Sequence, residues 1–451
     1  MAGKNKIDKF EEYESKQADA DPDFLLNWDD RDLSTELIDY GKKGPGVDKP
    51  FLVLSLVILL IGVIMVLSAS FARGVYTQSD PLRLFSRQLV FAVSGVAIML
   101  ITSRLSVRTI SRWSMQLLLI SVVLLVLVLI IGIRVNGARR WIGIGGENSS
   151  LTFQPSEVAK LAIILAFAQM ICKLGKDRMK SFKFGVLPFV VVTGIIVVLL
   201  RMEPHLSAMI IVMALMAIMM FAGGTRLRWF LFAVSVLAAM ICGFIFFQLR
   251  TNVPDVEMRD VSVETVRENL DLRGLGYEGR RITAWLNPDA DPLRDGFQIR
   301  QSLNAVGSGG LLGLGLGQSR QKHLYLPEEH NDYIFAIVCE ELGFIGAMLI
   351  LMLFALLIIR GYWLAMNAND KFSSLITIGI TSLLAIQVFL NIAVVTNLLP
   401  ATGMSLPFFS YGGTALWIQL VQIGIILAVS REIPVSQAMS ENTADLEESV
   451  Y

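Results

Sequence analysis

Several ionisable residues stand where so apolar a chain would be expected to carry none. Glu157 and Lys160 lie three apart, which places them on one face of a helix. Glu203 and His205 flank Pro204 in a tight turn, and Glu340 and Glu341 are neighbours inside a long apolar run. A charged side chain inside a membrane span costs several kcal/mol unless it is paired or wetted, so each of these is a candidate for function. The plainer reading is mutual pairing, in which Glu157 or Glu340 satisfies Lys160 or an arginine. A second cluster, Asp289, Asp291 and Asp295, surrounds Pro288 and Pro292 in a charged stretch. A carboxylate there could serve as a general base, although Asp-Pro in a loop is also a common turn signal.

Other chemistries fit less well. His205, His323 and His330 are far apart with no ligand spacing between them, which argues against a zinc site. The glycines of GSGGLLGLGLG follow no strand of a βαβ unit, so the phosphate-cradling and dinucleotide readings fail on context. Close backbone packing or a kinked re-entrant turn is the better expectation for them. Cys172, Cys242 and Cys339 fall within apolar runs and read as small buried hydrophobes.

The elements that must position these groups are membrane helices. Of 451 residues, 54% are hydrophobic and 17% charged, with a net charge of zero that favours no nucleic-acid partner. Phe51–Ala72, Trp113–Ile133 and Trp229–Leu249 are free of charge over the length a span needs. Further spans are expected near Gln88–Ser103, Ser156–Cys172, Phe184–Leu200, Leu206–Gly224, Tyr333–Ile359, Phe372–Asn397 and Thr414–Ser430. The expected fold class is an all-α integral membrane protein of about ten transmembrane helices. The first apolar run begins too late for a cleavable signal peptide. Lys and Arg collect in one set of short loops (Arg104 to Arg112, Lys173 to Lys183, Arg226 and Arg228, Arg360 and Lys371), which places those loops and both termini in the cytoplasm.

Three domains follow: a polar tail over 1–49, a membrane domain over 50–432 with a large outer loop over 250–331, and an acidic tail over 433–451. Both tails read as disordered, with a short partner-binding helix around Phe24–Trp28 as the alternative. Three outer segments break the pattern of bare helices: Val135–Lys160, Arg250–Asn331 and the uncharged Leu398–Thr414. Irregular backbone at membrane depth is tolerated where it is buried in protein or lines a cavity, and all three fall on the outer side.

The motifs NGARRWIGIG with FQPSEVAKLA, RITAWLNPDADP, DGFQIRQSLNAVGSGGLLGLGLGQSRQKHLYLPEEHNDYIFAIVCEELGFIGA and NLLPATGMSLPFFSYGGT resemble the SEDS family of shape, elongation, division and sporulation proteins. The resemblance runs from about Phe51 to Ser430 and leans towards the division branch. It implies a ten-helix peptidoglycan glycosyltransferase that polymerises lipid II on the outer face of the cytoplasmic membrane. The implied partners are a class B penicillin-binding protein transpeptidase and other divisome proteins. It also implies that Asp291 is the essential aspartate. Arg140, Glu157, Lys160, Gln298, Lys322 and Ser410 are the candidates for binding substrate, with Arg281 a further available cation. No protein metal site is expected, although a divalent cation such as Mg or Mn could accompany the substrate.

The implied reaction inverts an anomeric centre, which needs one carboxylate base and no second nucleophile. Pyrophosphate is already a good leaving group, so cations rather than a general acid should stabilise it. Two departures stand out. Many members of the family carry Glu-Pro-Asp where this chain has Glu203-Pro204-His205, and the stretch Thr251–Gly279 is unexpectedly long and charged. The rival readings are a lipid II flippase using Glu340 and Glu341 as a coupling relay, and a scaffold acting through the N-terminal tail. A flippase needs a path through to the cytoplasm, and no internal repeat supports one; a scaffold would leave Asp291 dispensable.

Overall fold

In lipid the backbone must satisfy its own polar groups, so long apolar runs become helices. The computed structural model describes residues 46–78, 80–135, 138–143, 152–232, 235, 277–290 and 295–433. The helices are α1 (Lys49–Arg73), α2 (Arg83–Thr102), α3 (Val107–Ile131), α4 (Pro155–Met179), α5 (Leu187–Met202, after a one-turn helix Phe182–Gly185) and α6 (Leu206–Ala222). They continue as α7 (Tyr277–Leu286), α8 (Asp295–Ser308), α9 (Ile334–Met366), α10 (Lys371–Val395) and α11 (Gly413–Glu432). Among the described residues, eight helices are long and apolar enough to cross a membrane, and α6 is a shorter apolar one. The chain is therefore a multi-pass, all-α membrane protein. The expected span Trp229–Leu249 lies mostly outside the described residues, as do both tails, Cys242 and nearly all of Thr251–Gly279.

Local chemistry sets several helix starts. Asp48 caps α1 by accepting from Phe51 N at 2.9 Å, Ser106 caps α3 through Thr109 N at 3.3 Å, and Asp370 caps α10 through Ser373 N at 3.2 Å. The Ser106 cap starts α3 ahead of the expected Trp113, which leaves Arg108 and Arg112 exposed on its first turns. Helix α9 outruns the expected Ile359 and carries Arg360 to the Asp48 carboxylate, 2.5 Å away. Asp48 thus caps its own helix and ties α1 to α9.

Burial sorts the helices into layers. In α10 and α11, 72% of the span window is buried, and in α4 67%, against 28% in α3 and 33% in α2. The first three form the interior, with α2 lying along α11, α3 along α4, and α1 and α10 against α9. The outer segment Val135–Lys160, expected to be irregular, contains a small antiparallel ribbon. In it β1 (Ile133–Val135) pairs with β2 (Ala138–Gly143), and β2 pairs with β3 (Thr152–Phe153).

The glycine-rich stretch after α8 docks into a break in α9. Gly343 sits at φ 68°, ψ −171°, which opens the helix. Leu314 N and Gly315 N then donate to the carbonyls of Glu340 and Glu341 at 2.9 and 3.0 Å, and Phe344 N donates to Gly310 O at 2.9 Å. A Cβ on Gly309 would lie 2.0 Å from Cys339 O, and one on Gly313 2.2 Å from Glu341 O. The contact is backbone on backbone, so only glycine fits.

Glu340 and Glu341 complete this dock. Glu340 accepts from Arg320 N at 3.0 Å, from Gln321 N at 3.3 Å and from the Ser319 hydroxyl. Glu341 accepts from Ser68 on α1, from Ser319 N at 3.3 Å and from Lys322 Nζ at 2.9 Å. Both glutamates are fully buried and lie outside the cavity described below. Glu341 is paired, with Lys322 and not with Lys160 or an arginine, while Glu340 is held by backbone N–H groups and serine hydroxyls; neither faces an open path.

Candidate active site

One end of the bundle holds a cavity of about 670 Å³. It lies where the ribbon, the start of α4, the turn before α6, α7, the loop over 327–333 and the segment over 401–413 converge. These are the described parts of the three segments expected on the outer side, together with the Glu203 turn, brought to one place. Its lining mixes aromatic side chains (Phe91, Trp141, Tyr411) with arginine, lysine, carboxylate and amide groups.

On the α4 side, Pro155 opens the helix at a position where its missing N–H costs nothing. Glu157 falls in the first turn, where the helix dipole favours a carboxylate. Lys160, one turn on, meets it at 2.8 Å, and both are buried. Unlike the Lys322–Glu341 pair, this one lines the cavity, so its charges border the space a substrate would fill. Arg140 reaches from β2 to the carbonyls of Glu203 and Pro204, at 3.3 Å for the former. That contact fixes the guanidinium at the cavity wall.

Beneath Arg140 the turn holds two buried groups. Among the described residues, neither Glu203 carboxyl oxygen has a hydrogen-bond partner, nor does His205 Nδ1. Burial pushes the Glu203 carboxyl from its ordinary 4.5 up to about 8, against the pull of Arg140. Burial, and then the charges of Arg140 and Lys160, drive the His205 imidazole well below its usual range, which keeps it neutral. At His205 this cavity therefore presents an uncharged ring.

A thermal prediction follows. Between pH 4.5 and about 8 the folded protein keeps a proton on Glu203 that the unfolded chain releases, so stability drains away as pH rises through that window. Glu203→Gln removes this dependence. Its melting midpoint in detergent should match that of the wild type near pH 4.5 and exceed it by about 2–4 °C at pH 8. Equal midpoints at both pH values would sink the assignment of a neutral buried acid.

The other side is built from distant segments. Arg281 Nη1 on α7 donates to Ala401 O at 3.0 Å, and Gln298 Nε2 on α8 donates to Pro327 O at 3.2 Å. Ser410 Oγ donates to Asn331 O at 2.8 Å and accepts from Leu406 N at 2.7 Å, pinning the 401–413 segment to the 327–333 loop. Asp332 faces the same space, and its backbone oxygen is held by Asn391 Nδ2 at 2.8 Å.

Of the residues singled out in the sequence, Arg140, Glu157, Lys160, Gln298 and Ser410 line this cavity together. Lys322 does not; it is buried in the α9 dock, between Glu341 and Ser68. Asp291 lies outside the described residues, while its neighbour Asp289 is exposed and held by Arg300 at 2.8 Å. Asp295 opens α8. Among the described residues no group of three or more His, Cys, Asp or Glu side chains could hold a metal. Sequence reasoning passed over Asp332, Trp141 and Tyr411; the dense polar block PEEHNDY was the available signal for the first.

Comparison with known proteins bears on this site. A family model described as "Cell cycle protein", covering FtsW, RodA and SpoVE, matches residues 49–434. Stage V sporulation protein E of Bacillus subtilis (strain 168) is 41% identical over 386 residues, covering 85% of this chain and 97% of that protein. A protein named probable peptidoglycan glycosyltransferase FtsW, from Trichlorobacter lovleyi, is 39% identical over 393 residues, covering 85% and 95%. Among solved structures, a chain of a peptidoglycan synthase complex, reported for its coordination of polymerization and crosslinking, is similar with a TM-score of 0.65 at 27% identity, covering 86% and 98%. The crystal structure of Thermus thermophilus RodA matches with a TM-score of 0.59 at 26% identity, covering 86% and 98%.

Proposed function

The chain belongs to the FtsW, RodA and SpoVE family, and from that premise we propose how its cavity serves the reaction. It is a peptidoglycan glycosyltransferase that polymerises lipid II during cell division. In our reading Asp291 takes the proton from the acceptor sugar hydroxyl while that oxygen attacks the anomeric carbon of the lipid-linked donor. The bond to pyrophosphate breaks in the same displacement, the centre inverts, and the lipid pyrophosphate leaves. Arg140 and Lys160 supply fixed positive charge on the β2–α4 side for the departing group, and neutral His205 adds a polar ring without adding charge. The observation that supports this best is the joining of Arg140, the Glu157–Lys160 pair and the 327–333 loop around one cavity.

Magnesium usually keeps several waters and binds through one or two carboxylates together with substrate phosphates. With no gathered donor set among the described residues, a divalent ion is proposed to arrive on the pyrophosphate, and no step runs through it. The proposed partner is a class B penicillin-binding protein of the FtsI type, acting with other divisome proteins at the septum of a bacterial plasma membrane. The test is reconstitution of the wild-type chain with that transpeptidase and lipid II, with glycan chains read on gels. Polymer that appears only with the intact pair is the expected result. Transport of lipid II across the bilayer with no polymer would favour the flippase reading instead.

A further inference from the structure

The α7 side of the cavity has a chemistry of its own. Asp332 and Arg281 converge over Gly403: a Cβ built there would lie 3.4 Å from Asp332 Oδ2 and 3.4 Å from Arg281 Nη1. Gly403 sits at φ 73°, a conformation glycine adopts freely, so the backbone leaves this space open. The other lining carboxylates are engaged, Glu157 by Lys160 at 2.8 Å and Glu328 by Asn331 Nδ2 at 2.7 Å. Asp332 is held from behind through its backbone by Asn391, and Arg281 through Ala401 O. The result is a fixed acceptor beside fixed donors.

We propose that Asp332 and Arg281 form a sugar subsite that seats the acceptor sugar, accepting from a ring hydroxyl and donating to the neighbouring hydroxyl or acetamide oxygen. This rests on the glycosyltransferase reading and assigns the part of the cavity that the pyrophosphate does not use. A phosphate placed here would meet the Asp332 carboxylate as a like charge, whereas a neutral polyhydroxyl ring satisfies both partners. Tyr411, in the lining and tied to the 327–333 loop by its N–H on His330 O at 2.9 Å, offers aromatic surface to the apolar side of such a ring. Asp332 is then a substrate-contacting residue, separate from the proposed base.

Titration gives an independent handle. Burial lifts the Asp332 carboxyl from 3.8 to about 6, with Glu328 adding to the rise and Arg281, Arg140 and His330 opposing it. Below that value the carboxyl is protonated, and the subsite loses the charge that strengthens its bond to a sugar hydroxyl. The experiment uses the full-length protein with a soluble β-1,4-linked N-acetylhexosamine oligomer as probe, read by saturation-transfer NMR, alongside polymerisation by the reconstituted pair. For wild type, sugar contact should fade as pH falls through about 6. Asp332→Asn should abolish that pH dependence and raise the KM for lipid II by about tenfold or more with a smaller change in kcat, while Asp332→Glu restores part of the affinity. Unchanged contact and KM in Asp332→Asn, with wild type polymerising, would overturn the subsite alone. Wild type that binds the oligomer with the expected titration yet forms no polymer would fault the enzymatic reading and leave the subsite standing. If Asp332→Asn fails to fold, the wild-type titration decides, and contact that persists at pH 5 rejects the proposal.

Discussion

Asp291→Ala, reconstituted with the transpeptidase and lipid II, is expected to lose polymer formation by about 10²–10⁴-fold while keeping the wild-type melting midpoint. The size of the loss follows from the role. A sugar hydroxyl is a poor nucleophile at neutral pH, and an inverting displacement has one proton to remove and no covalent intermediate to share the barrier. The unchanged midpoint follows from proposing a chemical role for Asp291 rather than a packing one. The neighbours provide the control. Asp289 is exposed and tied to Arg300 at 2.8 Å, so Asp289→Ala should polymerise at close to the wild-type rate. Asp295 opens α8, where its loss trims a favourable helix-dipole contact worth about 0.3–1 kcal/mol. If Asp291→Ala polymerises like wild type while either neighbour's variant is dead, the base has been misassigned.

The second large effect belongs to the dock on α9. Lys322 and Glu341 are buried, 4% and 0% exposed in their side chains, at 2.9 Å from each other. Glu341→Ala strands the Lys322 ammonium in a low-dielectric interior and also removes the acceptor for Ser68 and Ser319 N. Breaking one side of such a pair typically costs about 3–5 kcal/mol, whereas replacing both charges with apolar groups of similar size is often neutral. Glu341→Ala should therefore show a sharp fall in melting midpoint and in folded yield, and Glu341→Met with Lys322→Met should recover most of it. This contrast separates a structural latch from a coupling relay. A relay would tolerate Glu341→Ala in folding and lose only transport, and a stable Glu341→Ala protein would count against the latch.

Much of this protein is local, and the sequence therefore determined it. Charge-free runs long enough to span a bilayer have one way to satisfy their backbone, so most spans could be marked within a few residues. Where the marks slipped, as at Trp113, a cap at Ser106 had moved the start. The pairing of Glu157 with Lys160 was visible as an i,i+3 spacing, and the glycines before α9 could be read as backbone contact because nothing else explains so many at once. The small ribbon was missed because strands of two to six residues leave little periodicity. Lys322 could be counted as a cavity cation because sequence gives its charge but not its direction; only the break at Gly343, which draws the loop into α9, turns it to Glu341. The Glu203 carboxyl, without a partner among the described residues, likewise depends on packing that spacing does not give. Arg281, Asp332 and Gly403 come from three separate segments, and no spacing rule links them. Their meeting is decided where α7 ties to the segment after α10, through Arg281 on Ala401 O and Trp285 on Asn397 O, beside the loop that leads into α9, and the cavity chemistry lives in that meeting.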